Sequence, residues 1–137
     1  MEEFLGKKYM MTYEENLAEY LSFLGINKSS QSFFIRVEMV FSLHRASNGS
    51  YFFKASSQFG DYELSFKPGE EFDDFDFDFR KGRCVITIDG HTMTMIQRSG
   101  NGKISKSVME YYPDKLIVTT TALGFKKIVK RQYTVVQ

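Results

Sequence analysis

From about Glu38 to its end the chain is cut at short intervals by residues that reverse a backbone. Asn48-Gly49 is a strong hairpin turn, because both residues tolerate positive φ. Gly60-Asp61, Pro68-Gly69, Asp89-Gly90, Gly100-Asn101-Gly102, Pro113-Asp114 and Gly124 follow. Short alternating runs lie between them, at 51–57, 62–66, 83–89, 92–98, 105–111 and 116–122. Residues 6–11 can form a first strand and the stretch from 127 a last one; with a strand leading into the Asn48-Gly49 turn and the Asp-Phe alternation of 74–79 this makes about ten antiparallel strands. Phe 14 and Tyr 8 against Trp 0 and Pro 2 favour strands over helices. Short strands at regular spacing suggest a sandwich or an up-and-down barrel.

One clear helix interrupts this pattern early. Leu17, Tyr20, Leu21 and Leu24 fall at i, i+3, i+4 and i+7, an amphipathic face. Thr12 and Glu15 have capping-box spacing, and Gly25 can close the C-terminus. A second short helix is expected from Ser29 or Ser30, carrying Phe33, Phe34 and Val37, although 33–41 can also read as strand. A helical pair after the first strand is unusual in a sandwich and fits a barrel with a lid.

Length and composition bound the function. At 137 residues the chain (1–137) is read as one domain with a sizeable core. A net charge of +1 gives no nucleic-acid footprint. The single Cys84 excludes an internal disulfide and suits a reducing compartment. No stretch reads as a signal peptide, a transmembrane helix or a myristoylation motif, so a cytoplasmic protein is expected.

The last strand carries the clearest chemical signal. Lys127, Val129, Arg131, Tyr133 and Val135 share one face, alternating with Ile128, Lys130, Gln132, Thr134 and Val136. The first set reads as inward. Guanidinium and phenol at i and i+2 on an apolar face can together hold a carboxylate. A buried charge without a counter-charge is costly. Arg131 therefore has a protein partner, lines a wet cavity that takes an anion, or faces solvent with the register reversed. Periodicity leaves all three open.

In the order of its pieces the sequence resembles the intracellular fatty-acid-binding proteins of the calycin superfamily. The pieces are Phe4-Leu5-Gly6, Asn16-Leu17 with Tyr20 and Leu24-Gly25, Ser57-Gln58-Phe59, and Phe66-Lys67-Pro68-Gly69-Glu70-Glu71-Phe72-Asp73. They continue with Asp78-Phe79-Arg80-Lys81, Thr87-Ile88-Asp89-Gly90, Asp114-Lys115-Leu116-Ile117 and Arg131-Gln132-Tyr133. The resemblance implies an all-β fold, a ten-stranded antiparallel up-and-down β-barrel (β-clam) with a helix-turn-helix lid over one end. It implies a large hydrated cavity, a carrier of long-chain fatty acids, and Arg131 and Tyr133 as the carboxylate anchor. Phe59 matches the phenylalanine that gates the entrance, and Asp78 and Arg80 match positions near the ligand. Alternation together with the resemblance adds Ala55, Met95 and Gln97 as wall residues, alongside Phe53, Ser57 and Met93 on the same faces. Phe33 and Phe34 are expected at the opposite rim from Phe59, with core packing as the alternative.

The sequence departs from the family pattern in four places. Met109 stands where heart-type and retinoic-acid-binding members place a second inward arginine. Lys8-Tyr9 lies near the place of an early tryptophan, with one extra residue before the helix. The helix after Gly25 is longer and more aromatic than usual, and Asp alternates with Phe from Asp74 to Phe79. Glu14, Glu15 and Glu19 are expected to load the first helix with negative charge, which favours ligand transfer through water and at most transient membrane contact.

Other readings have less behind them. His44 and His91 have no nucleophile motif near them, and no enzyme is expected. Asp74, Asp76 and Asp78 mimic the start of a calcium loop, but Phe79 and Val85 occupy the positions that need Gly and Glu. No cofactor and no metal are expected, and the protein is read as a monomer. The alternatives are a carrier of another amphipath, such as a retinoid or bile acid, or a structural or membrane-surface protein on the same barrel. Family retinol binders carry glutamine at both anchor positions, which Arg131 does not match. A surface protein would need a basic exterior, which a net charge of +1 does not show.

Overall fold

A computed structural model describes residues 1–75 and 81–136. Ten antiparallel strands form one sheet, and two helices sit between the first strand and the second. The strands are β1 (Lys8–Glu15), β2 (Val40–Arg45), β3 (Tyr51–Ser57), β4 (Gly60–Phe66), β5 (Phe72–Phe75), β6 (Lys81–Asp89), β7 (Thr92–Arg98), β8 (Ile104–Tyr111), β9 (Lys115–Ala122) and β10 (Val129–Val136). The helices are α1 (Leu17–Phe23) and α2 (Lys28–Arg36). The strand order is β4-β3-β2-β1-β10-β9-β8-β7-β6-β5. Each strand after β2 pairs with its sequence neighbour except at β4 and β5, and the two ends of the chain pair as β1 with β10. The sheet curls into a nearly closed barrel whose two edges are β4 and β5. Phe66 and Phe72 stack near these edges, with ring centroids 6.3 Å apart.

The turn chemistry explains the hairpins. Asn48 and Gly49 both have positive φ, 60° and 74°, and Ser50 donates its N–H to the Ser47 carbonyl. Those are the mirror-image turn angles that match the twist of two paired strands. Asp61 belongs to β4 rather than to a turn; the reversal is made by Gln58 and Phe59, since Ser57 pairs directly with Gly60.

The lid begins later than the capping box predicts. Thr12 and Glu15 lie in β1, where Thr12 sits at a bulge in the pairing with β10. Long pairing along β10 keeps these residues extended, which overrides the local capping preference. Asn16 caps α1 instead, in the left-handed region at φ 66°, with its side chain donating to the Ile128 carbonyl. Gly25, at φ 86°, closes the helix as expected, and Ile26 N–H bonds the Leu21 carbonyl. Because Glu14 and Glu15 end β1, only Glu19 of the three lies on the helix, paired with Lys127. The negative charge expected along the helix is therefore cut to Glu19, with the Glu14 carboxylate accepting from Leu17 N–H at its start. Asn27 caps α2 by accepting from Ser30 N–H, and buried Gln31 ties α2 to α1 by donating to Ser22 Oγ and the Ile26 carbonyl.

The apolar interior is split. One cluster fills the end away from the lid: Phe4, Tyr9, Leu43, Phe66, Cys84, Ile86, Met93, Tyr111 and Leu116 among others. The second lies under the lid, where Leu17, Tyr20, Leu21, Leu24 and Ile26 meet Val129. Each buries a full apolar face. Side chains between them do not fill the barrel.

Candidate functional site

A cavity of about 760 Å³ occupies the space between the two clusters. That lies within the range of small-molecule sites, about 300–1,000 Å³. Its wall is mostly apolar. It takes Leu17, Leu21 and Leu24 from the lid, Phe33 and Phe34 from α2, Phe53 and Ala55 from β3, and Leu116 and Val118 from β9. Met10, Met11, Met39, Met95 and Met109 also face it, so a thioether wall that adapts to flexible chains surrounds the space.

Strand alternation puts Arg131 and Tyr133 into this cavity from β10. The inward register is fixed by Val129, fully buried under the lid, and Tyr133, 5 % exposed. Lys127 departs from the expected inward set. It precedes β10 and points to solvent, where it pairs with Glu19.

Arg131 meets hydroxyls rather than carboxylates. Its Nη1 donates to Tyr133 Oη at 3.4 Å and its Nη2 to Thr120 Oγ1 at 3.3 Å. Its Nε is buried with no hydrogen-bond partner. Among the described residues no carboxylate pairs with it. A guanidinium carries five N–H donors in a fixed fork, and two long bonds to neutral oxygens leave it under-satisfied. Removing such a charge from water costs several kcal/mol unless a counter-charge arrives. Of the three readings that the sequence leaves open, the cavity-lining one describes this geometry.

A polar ribbon runs from the guanidinium along the wall. Thr120 Oγ1 lies 2.8 Å from Ser107 Oγ, and Tyr20 Oη donates to Ser105 Oγ at 2.7 Å. Burial pushes the Tyr20 hydroxyl above its ordinary pKa; the Ser105 bond and nearby Arg131 pull the other way. The ribbon escapes the sequence reading because Ser and Thr are neutral in a hydropathy pattern. The strict alternation of Ser105, Ser107 and Met109 on one strand is the signal that could have revealed it.

The other expected site residues divide into groups. Ala55, Met95, Gln97 and Met109 line the cavity. Met109 occupies the row of Arg131, since both pair with Val118 on β9 between them. No arginine stands in that position, so Arg131 has no inward partner cation there. Met93 is buried in the distal cluster instead of the cavity, and Ser57 turns to its own hairpin, where it accepts from Phe59 N–H. Phe59 projects from the β3–β4 turn, 69 % exposed, with its ring 5.5 Å from Phe33. Phe33 in turn packs edge-on against Phe34. The three therefore share one rim, correcting the expectation that Phe33 and Phe34 sit opposite Phe59. α2 is carried over the β3–β4 turn by the short connection from α1, which the sequence pattern could not show. Asp78 and Arg80 lie outside the described residues.

Comparison with known proteins gives a consistent picture. No protein-family model matches the chain. It is 26% identical over 130 residues to fatty acid-binding protein 2 of Manduca sexta, covering 95% of this chain and 97% of that one. The crystal structure of a fatty-acid-binding protein from Drosophila melanogaster brain superposes with a TM-score of 0.86 at 29% identity, covering 96% of this chain and 98% of that chain. A Schistosoma mansoni fatty acid binding protein in complex with arachidonic acid shares the fold, with a TM-score of 0.87 at 23% identity over 100% of this chain and 98% of that one.

Proposed function

We propose that this chain, a member of the intracellular fatty-acid-binding protein family, carries long-chain fatty acids in its cavity, with the carboxylate held by Arg131 and Tyr133. The supporting observation is the half-buried Arg131, whose buried Nε has no partner in a mostly apolar cavity. A carboxylate offers the acceptors and the charge that this guanidinium lacks, and an acyl chain suits the wall around it. Binding then releases the cost of an unpaired charge and buries the chain in one step.

The two parts contribute unequally. Burying a dozen methylenes is worth on the order of 10 kcal/mol gross, at about 0.8 each. A charge-assisted hydrogen bond nets about 1.5–3 kcal/mol. The chain supplies most of the affinity, and the arginine sets orientation and headgroup preference. With Met109 in the second arginine's place, one cation carries the headgroup alone and tolerates varied heads. Ala55, Met95 and Met109 contact the acyl chain, Gln97 supplies a polar point on the wall, and Phe59 gates the entrance together with Phe33. Asp78 and Arg80 keep the ligand-proximal role that their motif suggests.

The protein works as a monomer in the cytoplasm, by binding without a catalytic step, with at most transient contact with membranes. No helix among the described residues is long and apolar enough to cross one. Mass spectrometry of an organic extract of the purified protein tests the carrier reading. Co-purified long-chain acids are the expected result. An empty barrel that also fails to take up added octadecanoic acid refutes it.

A further inference from the structure

Two polar groups on the cavity wall have no use in holding a carboxylate at Arg131. Gln97 on β7 and Ser105 on β8 are directly paired across the two strands, and both line the cavity. Side chains opposed in this way stand about 5 Å apart at Cβ. The Gln97 side chain makes no hydrogen bond among the described residues, so its amide offers a free donor and a free acceptor. Ser105 is bonded to Tyr20 at 2.7 Å, and both residues are buried, at 4% and 5% exposure. Two hydroxyls carry two protons and their mutual bond uses one. The second proton has no protein acceptor among the described residues.

The spacing from the headgroup follows from the ladder. Arg131 reaches Thr120, and Thr120 bonds Ser107, so the guanidinium sits at the level of Ser107. Ser105 is the next inward residue, about 7 Å farther along β8, and Gln97 is one strand over, about 5 Å. From Thr120 on β9, where the guanidinium bonds, the separation is about 9 Å to Ser105 and about 12 Å to Gln97. With C–C bonds of about 1.5 Å, a chain covers it in about seven to ten carbons, which falls in the middle third of an eighteen-carbon acid.

We infer that Gln97, Ser105 and Tyr20 form a second polar post that recognises a mid-chain hydroxyl, making hydroxylated long-chain fatty acids a favoured ligand class. The inference rests on the carrier reading and on the carboxylate being at Arg131. A hydroxyl uses both kinds of group: it accepts the spare Ser105–Tyr20 proton and donates to the Gln97 carbonyl oxygen. A ketone accepts from the Ser105 hydroxyl and the Gln97 amide N–H but leaves the Gln97 carbonyl oxygen unpaired. A plain acyl chain covers these groups and leaves both unpaired.

The test is titration calorimetry with octadecanoic acid, its mid-chain hydroxylated derivative and the matching ketone, on wild type, Gln97→Leu and Ser105→Ala. In the wild type the hydroxy acid is expected to bind about three- to tenfold tighter than octadecanoic acid, from one to two neutral hydrogen bonds, with the ketone behind it. Gln97→Leu should reverse that order, and Ser105→Ala should narrow the gap. Octadecanoic acid measured in the same variants reports whether the barrel still binds. If it binds wild type while the hydroxy acid binds tenfold weaker, or if Gln97→Leu leaves the ratio unmoved, the inference is overturned and the carrier reading stands. If neither acid binds, both fall.

Discussion

Replacing Arg131 by methionine should make the empty protein more stable and a poorer binder of acids. The guanidinium has a buried Nε without a partner and only two bonds, of 3.3 and 3.4 Å, to neutral hydroxyls. Substituting buried ionic groups by apolar residues of similar size commonly gains about 1–4 kcal/mol. Half-exposure to the cavity places Arg131 at the low end, about 1–2 kcal/mol. For a chain of this size that raises the unfolding midpoint by several degrees, at about 3 °C per kcal/mol. Against this, the variant loses a charge-assisted bond to the carboxylate, about 1.5–3 kcal/mol, a drop in affinity of about 10- to 150-fold. The methyl ester of the same acid has no anionic head and should bind wild type and variant within a factor of about three. Thermal unfolding of the delipidated proteins and calorimetric titration with acid and ester measure both arms. A variant that is less stable when empty and loses acid and ester equally would show that Arg131 is a structural residue, and the headgroup assignment would be wrong.

Alkaline unfolding should follow the buried tyrosines. Burial pushes the Tyr9 hydroxyl up to about 12 and raises Tyr111 as well. The folded state thus prefers the neutral phenol; its contribution is fully present below the ordinary tyrosine value of about 10 and is lost as pH rises through about 12. Urea midpoints across that window should fall, and Tyr9→Phe should flatten the decline; an unchanged slope in the variant refutes the assignment. At the rim, Phe59→Ala should speed both uptake and release of fatty acid in stopped-flow fluorescence while shifting the unfolding midpoint by under about 2 °C, because an exposed ring contributes little to stability. Unaltered rates would remove Phe59 from the access route.

The sheet was legible because its signals are local. Residues 51–57 and 92–98 were bounded correctly by alternation and turn residues alone, and the Asn48-Gly49 turn follows from φ preference. The N-terminus of α1 was misplaced because a long-range ladder decides it. Thr12 and Glu15 have capping spacing, yet pairing of β1 with β10 holds them extended, across more than 110 positions of sequence. Asp61 was read as a turn residue for a related reason: glycine at φ 123° starts β4 instead of turning the chain. At the site, alternation grouped Arg131 with Tyr133 and, together with the resemblance, gave Ala55 and Gln97 as wall residues, but it left the direction of Arg131 open. It could not identify Thr120 and Ser107, whose hydroxyls matter only because the guanidinium lies against them.

The placement of anchor and entrance follows from where each strand sits in the sheet. Arg131 and Tyr133 lie on β10, which is hydrogen-bonded on both sides, by β1 and by β9. Phe59 and Tyr62 lie on the β3–β4 hairpin, and β4 is an edge strand with one partner among the described residues. Local opening costs least where few bonds and little apolar burial hold a segment, and most in the paired centre. A rigid anchor preserves the geometry that discriminates a carboxylate, while a loosely held rim lets a long chain pass without unfolding the barrel. The same asymmetry explains why the apolar interior is divided. Clusters at the two ends hold the sheet closed, and members of both, among them Leu21 and Leu116, also form the cavity wall, so the packed ends and the open middle share one apolar lining.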